Sequence, residues 1–277
     1  MNYIKRIAAI HDMSCFGKAS LTTIIPILSV MGNEVCPMPT AILSTHTGGV
    51  GKPAFVDLSD FMQEAKKHWE SLGVNFQCIY SGYLGNSNQV DFVIDFIRSF
   101  KKNDTLVVVD PVMGDNGKLY TGIDTKMVES MKKLIAFSDI ITPNITEACF
   151  LLGKEYKEFF TNEEVEEYAI ELSKLGIKKV IITSVVNEYN KEYINTIAYD
   201  KEERKIIKIK NKRINASYSG TGDAFTSIVI GSMMQNKSFE ESVKKACDFL
   251  QKVIKNSSKL DYPKNQGIIL EKFLKDI

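Results

Sequence analysis

The 277 residues carry 35 basic and 34 acidic side chains for a formal net charge of +1, with 44% hydrophobic and 25% charged residues. That composition suits a globular α/β protein with a sizeable core, and it excludes a whole-chain field that would draw in nucleic acid or an anionic membrane. Five dispersed cysteines, none in a Cys-x-x-Cys pair, read as reduced thiols. No apolar run approaches the length of a membrane span, and Ile7 to Ile10 is too short for a signal-peptide core. The expectation is a soluble, cytoplasmic protein with neither a nucleic-acid nor a membrane partner.

Ile4 to Ile10 is predicted to be the first strand. Leu21, Ile24, Ile25, Leu28 and Met31 recur at helical spacing up to a glycine stop at Gly32. Asn33 to Leu43 is extended and interrupted by Pro37 and Pro39, which predicts an edge strand or lid. Leu58, Phe61, Met62, Ala65, Trp69 and Leu72 form the apolar stripe of a helix and are predicted to be core. Strands are then expected at Phe76 to Tyr80, Leu106 to Val109, Ile140-Ile141 and Val180 to Ile182. The helices between them lie around Val90 to Ile97, Met127 to Ile135 and Val165 to Leu175. This alternation predicts a mostly parallel sheet covered on both faces. Tyr193 to Tyr199 and Lys205 to Lys210 read as an antiparallel pair joined by the charged turn Asp200 to Arg204. The basic run Lys205 to Arg213 alternates with isoleucines, the pattern of a strand with one solvated face. A helix from Ala224 to Gln235 follows. No internal repeat or low-complexity linker interrupts the chain, so residues 1–277 are expected to form a single domain.

The polar clusters that carry chemistry fall where predicted strands end. Gly220-Thr221-Gly222-Asp223 precedes the helix from Ala224. Its glycines permit close approach of the backbone, and unpaired N–H groups at a helix start suit an anion such as a phosphate. Asp223 there is either a first-turn acid or a group with chemistry to do. Asp110-Pro111-Val112-Met113-Gly114-Asp115 follows the apolar run Leu106 to Val109. Ligands bind beyond the carboxyl ends of strands in open α/β sheets. Thr142-Pro143-Asn144-Ile145-Thr146-Glu147 follows Ile140-Ile141, with Asn144 and Glu147 on one face if a helix begins there. Taken alone, Asn144 reads as a helix cap. Thr183-Ser184 ends a further apolar run.

Three other readings fail. Gly48-Gly49-Val50-Gly51-Lys52 is no P-loop, because His46 stands where its first glycine would be and Pro53 where a magnesium-binding Ser or Thr is needed. Gly220-Thr221-Gly222 is no dinucleotide fingerprint, since Phe225 occupies the third glycine position. His11, His46 and His68 lack zinc-binding spacing; His68 is expected to be exposed, whereas His11 and His46 follow strands and could line a pocket.

With these residues the chain resembles the ribokinase-like superfamily and, within it, the pyridoxal (vitamin B6) kinases, over nearly its whole length. The Asp110 to Asp115 string is the most specific element of the likeness. His46-Thr47-Gly48 and Ser81-Gly82-Tyr83 look like the segments of that family that contact pyridoxal. The resemblance implies a three-layer fold with a mostly parallel central sheet flanked by helices and a small lid or edge β element. It implies transfer of the ATP γ-phosphoryl group to the hydroxymethyl group of a B6 vitamer. Asp223 would be the base, and Gly220, Thr221 and Gly222 the anion hole. Glu147, Asn144 and Asp110 would organise Mg2+, with Glu147 acting through water. Asp110, Asn144, Asp115, Tyr120, Thr142, Thr183, Ser184 and Thr221 would face the nucleotide, while Asp12, Thr47 and Tyr83, with Asp223, would hold the substrate. Many of these kinases carry serine where Asp12 stands, and a carboxylate there favours a cationic partner such as the amine of pyridoxamine. K+ is a further expectation without a located site, as is a homodimer formed through the proline-bearing edge. The rivals are a hydroxymethylpyrimidine kinase of the same fold and a non-catalytic B6- or nucleotide-binding protein. The latter would have no need of a base.

Overall fold

The computed structural model describes residues 4–48 and 50–277; residues 1–3, and Gly49 of the rejected glycine-rich stretch, lie outside the described residues. In chain order the elements are β1 (Lys5–Phe16), α1 (Leu21–Val30), β2 (Asn33–Thr45), β3 (Phe55–Asp57), α2 (Ser59–Ser71), β4 (Cys78–Ser81) and α3 (Ser87–Phe100). Next come β5 (Leu106–Val109), β6 (Gly114–Asp115), β7 (Lys118–Leu119), α4 (Thr125–Ile135), β8 (Ile140–Ile141), α5 (Ile145–Leu152) and α6 (Asn162–Ser173). The chain ends with β9 (Lys179–Asn187), β10 (Asn190–Asp200), β11 (Lys205–Lys212), α7 (Thr221–Met234) and α8 (Phe239–Ser257). Two compact units result, one of residues up to Gly82 together with Ile214–Ile277, the other Tyr83–Arg213. Among the described residues no helix is long and apolar enough to cross a membrane.

In the first unit β1 pairs in parallel with both β2 and β4, and β3 runs antiparallel to β2. Ile7 to Ile10 are fully buried, as an apolar run in a parallel strand covered on both faces should be. β1 extends six residues past Ile10, so His11 and Asp12 lie inside the strand rather than after it. Its ladder with β2 slips between His11 and Met13, where Pro39 of β2, which has no N–H, is the partner of His11. The proline-bearing segment is an edge only in part: β3 pairs with Ala41 to Leu43, and among the described residues Asn33 to Pro39 has β1 as its one strand neighbour. The predicted core stripe of α2 is also half right. Met62 is buried and Trp69 packs on Phe76 at 5.6 Å, but Phe61 and Leu72 are exposed. α7 is buried from Ala224 to Ser232 and packs on α1 and α8. α8 went unpredicted, although Ser238 and Glu241 form a capping box at its start.

In the second unit the strand order is β11-β10-β9-β8-β5. β5, β8 and β9 are parallel, while β10 and β11 form the expected antiparallel pair beside them. β9 does not end at Thr183-Ser184. Ser184 takes a positive φ of 63°, the ladder to β10 shifts register there, and the strand resumes. β6 and β7 form a hairpin closed by Asn116 (φ 50°) and Gly117 (φ 73°), the Asn-Gly pair that a tight turn with two positive φ angles requires. A β-carbon at Gly117 would also lie 2.4 Å from Cδ1 of Tyr156. Gly117→Ala is therefore expected to destabilise the protein by about 1–3 kcal/mol, read as a lower urea midpoint with an unchanged slope. An unmoved midpoint would show that the hairpin tolerates the strain.

Candidate active site

Gly220 caps α7 with φ 77°, and a β-carbon there would fall 2.2 Å from the carbonyl oxygen of Lys18. Only glycine allows this turn. It leaves the N–H groups of the first helical turn, Thr221, Gly222 and Asp223, without intrahelical partners at the positive end of a 14-residue helix. Gly222 is exposed, and Thr221 Oγ1 donates to the Tyr218 carbonyl at 3.2 Å. The element is built to receive an anion.

Asp223 is held from two sides. Its Oδ2 accepts the Ser20 N–H at 2.6 Å, and its Oδ1 lies 3.1 Å from His11 Nε2, an ion-pair contact rather than an aligned hydrogen bond. Nδ1 of His11 is in turn 2.8 Å from Asp12 Oδ1, while Ser14 Oγ donates to Asp12 Oδ2 at 3.1 Å. A carboxylate, an imidazole and a second carboxylate thus stand in a row. Burial works against charge on the imidazole, but Asp223 and Asp12 outweigh it and hold His11 up to about 10, so the ring is an imidazolium at neutral pH. Burial likewise opposes charge on Asp12, and the bond and charge of His11, with Ser20 and Ser14, bring its carboxyl below the ordinary range. Both oxygens of Asp12 are engaged within the protein. His11 is its charged neighbour.

Space for the ring is reserved. A β-carbon on Gly82 would sit 2.0 Å from His11 Cδ2, and Tyr80 meets the ring edge-on at 6.4 Å between centroids. The sequence pattern offered no sign of this, because adjacent side chains on a regular strand point to opposite faces. His11 and Asp12 touch at the point where the β1–β2 ladder slips. His46, by contrast, follows β2 as expected. Its Nδ1 accepts the Gly48 N–H at 3.1 Å and its Nε2 donates to the Asn265 carbonyl at 2.6 Å, which ties the segment bearing the exposed Thr47 to the C-terminal region.

In the second unit Asp110 directly follows β5 and is buried. Asn144 caps α5: its side chain accepts the Glu147 N–H at 2.9 Å, and Glu147 Oε2 accepts the Asn144 N–H at 2.9 Å. Glu147 Oε1 also accepts the Met113 N–H at 3.0 Å, and Asn144 Nδ2 donates to the Gly114 carbonyl at 2.8 Å, so the cap anchors the Asp110 to Asp115 loop. Burial and then the charge of Asp110 push the Glu147 carboxyl well above its ordinary range, against the pull of the amides. A buried carboxyl raised by burial and by a second buried carboxylate suits a hard divalent cation. Because both Glu147 oxygens already accept amides, Glu147 would reach such an ion through water. Among the described residues no group of three or more His, Cys, Asp or Glu is arranged to hold a metal by itself. Thr142 is buried after β8, and Thr183 bridges to Asn144 and donates its N–H to the Pro143 carbonyl at 3.0 Å. Ser184, Asp115 and Tyr120 are exposed, and Tyr83 is half-buried.

The model of the family described as phosphomethylpyrimidine kinase matches residues 7–268, across both units. The chain belongs to that family. A Bacteroides thetaiotaomicron protein that carries the provisional name phosphomethylpyrimidine kinase, crystallised with pyridoxal, is 44% identical with a TM-score of 0.95, covering 99% of this chain and 96% of that one. The pyridoxal kinase of Lactobacillus plantarum is 28% identical with a TM-score of 0.90, covering 99% and 96%. A hydroxymethylpyrimidine/phosphomethylpyrimidine kinase of Aquifex aeolicus is 32% identical over 183 residues, 65% of this chain and 67% of that one. The mixed α/β fold of this phosphomethylpyrimidine kinase family member is thus that of the pyridoxal kinases.

The raised value of His11 makes stability depend on pH. A group protonated more readily in the folded state stabilises fully below its free value of 6.5, and the benefit is lost as pH rises toward about 10. The urea midpoint is expected to fall across that window, and His11→Gln to lack that part of the fall. Parallel curves for the two proteins would show that the imidazolium contributes nothing.

Proposed function

We propose that this protein transfers the γ-phosphoryl group of ATP to the hydroxymethyl group of a vitamin B6 vitamer, pyridoxal, pyridoxine or pyridoxamine, giving the 5′-phosphate. The observation that carries the reading is Asp223, 12% exposed in the first turn of a glycine-capped helix whose free amides suit a phosphate. The 44% identical relative that holds pyridoxal supports the substrate class. Asp223 accepts the hydroxyl proton as the alcohol oxygen bonds to the γ-phosphorus and the bond to ADP breaks. The amides of Thr221, Gly222 and Asp223 receive the charge that develops on the phosphoryl oxygens. Glu147, Asn144 and Asp110 would hold Mg2+, which would neutralise phosphate charge. Asp115, Tyr120, Thr142, Thr183, Ser184 and Thr221 face the nucleotide, Thr47 and Tyr83 hold the ring, and Asp12 acts through His11. We take residues 1–277 as one kinase domain, cytoplasmic and homodimeric, with K+ as a further activator. The family match spanning both units supports the single domain. The open side of β2 from Asn33 to Pro39 supports the pairing of copies.

Hydroxymethylpyrimidine kinase is the second reading, favoured by the Aquifex relative. ADP release measured with each vitamer and with hydroxymethylpyrimidine separates the two. At least one vitamer is expected to exceed hydroxymethylpyrimidine in kcat/KM; the reverse order would leave only the phosphotransferase chemistry standing. Asp223→Asn is expected to lower kcat by about 10²–10⁴ while leaving ATP affinity nearly unchanged. Retention of more than a tenth of the activity would reduce Asp223 to a first-turn acid. Glu147→Gln is expected to raise the Mg2+ concentration for half-maximal rate, and an unchanged dependence would leave it a helix cap alone.

A further inference from the structure

We propose that His11 is the positioning residue for the phosphoryl-transfer base: pinned by Asp12, it holds the Asp223 carboxylate aimed for the incoming hydroxyl. The inference rests on the role given to Asp223 above. Three features of the geometry converge on it. Asp12 fixes one ring nitrogen at 2.8 Å, so the other can face only one way, and it faces Asp223 Oδ1 at 3.1 Å. Gly82 leaves the gap that the ring occupies, since any β-carbon there would lie within 2.3 Å of both Cδ2 and Nε2. The Ser20 N–H then takes the other Asp223 oxygen at 2.6 Å, and the carboxylate plane is set by two contacts from different elements.

The ionisable groups that face His11 are Asp12 on its own strand, Asp223 on α7 and, edge-on, the Tyr80 phenol on β4. From β2 its partner is Pro39, and α1 has no ionisable side chain. One cationic ring therefore stands between two carboxylates and contacts each of them. What Asp223 gains from His11 is placement, which is what a reaction dominated by positioning requires.

The test combines pH–rate profiles with histidine ring ¹⁵N NMR on the full chain, with the three histidines assigned by single substitution. In the wild type the His11 ring is expected to stay charged across pH 6–8.5, and Asp12→Asn to bring its titration into that range. In His11→Gln the acid limb of kcat/KM for the best vitamer is expected to move to higher pH, because the one cation of the cluster is removed. The alkaline plateau should fall less than tenfold, and KM for ATP should not change. Asp12→Asn keeps the ring in place and is expected to shift the limb in the same direction by a smaller step, which covers a His11→Gln protein that fails to fold. A His11 ring that titrates near 6.5 in the wild type, or an acid limb unmoved in an active variant, overturns the positioning role alone. Absence of turnover with every vitamer and with hydroxymethylpyrimidine overturns the functional reading, and the role of His11 with it.

Discussion

In the first unit one buried imidazolium stands between Asp12 and Asp223, and the direction in which the Asp223 carboxylate points depends on it. Without the ring, two carboxylates would share a nearly dry region with no cation between them. Much around it serves that arrangement. Gly82 supplies volume, Ser14 and Ser20 take remaining acceptor sites, and the slip between β1 and β2 turns two neighbouring side chains toward each other.

The second unit meets the same electrostatic problem with a different solution. Glu147 and Asp110 are both buried, and Asp110 makes the charge of Glu147 more costly, yet backbone amides rather than a side-chain cation surround Glu147. Amide dipoles orient a carboxylate well but carry no net charge. A cluster left in that state gains most from an external cation, whereas the His11 cluster, already supplied with one, gains little. The distinction supports the proposal that a divalent cation is held at Glu147 and Asp110. The Asn144–Glu147 capping box does not compete with this role, because it is the means by which the acid and the Asp110 to Asp115 loop are fixed to one helix start.

What could be read from the sequence was whatever depends on local pattern. Leu106 to Val109, Ile140-Ile141 and the β10–β11 pair announced themselves by apolar runs and alternation. The Asn144-x-x-Glu147 cap and the turn into α7 announced themselves by residue type at fixed spacing. Lost were features that depend on partners distant in the chain. Phe61 and Leu72 satisfy a helical stripe, but no neighbour covers enough of them to make them core. Thr183-Ser184 reads as a strand end because the apolar run Val180 to Ile182 stops there, and only the register with β10 shows that the strand goes on past the positive φ of Ser184. The start of α8 is marked locally, by Ser238 and Glu241 at capping-box spacing.

His11 is the sharpest case. A lone histidine beside an aspartate on a buried strand is ordinary, and the period of a regular strand places the two on opposite faces. Their contact needs the ladder slip opposite Pro39, the gap at Gly82 and the arrival of Asp223 from a helix more than two hundred residues on. None of these is a property of the dipeptide. The same separation along the chain ties the placement of Asp223 to folding, because it meets His11 only once the first strand and α7 have come together. The aim of Asp223 is therefore a tertiary property, and it should be lost before the secondary structure of α7 as the protein is destabilised.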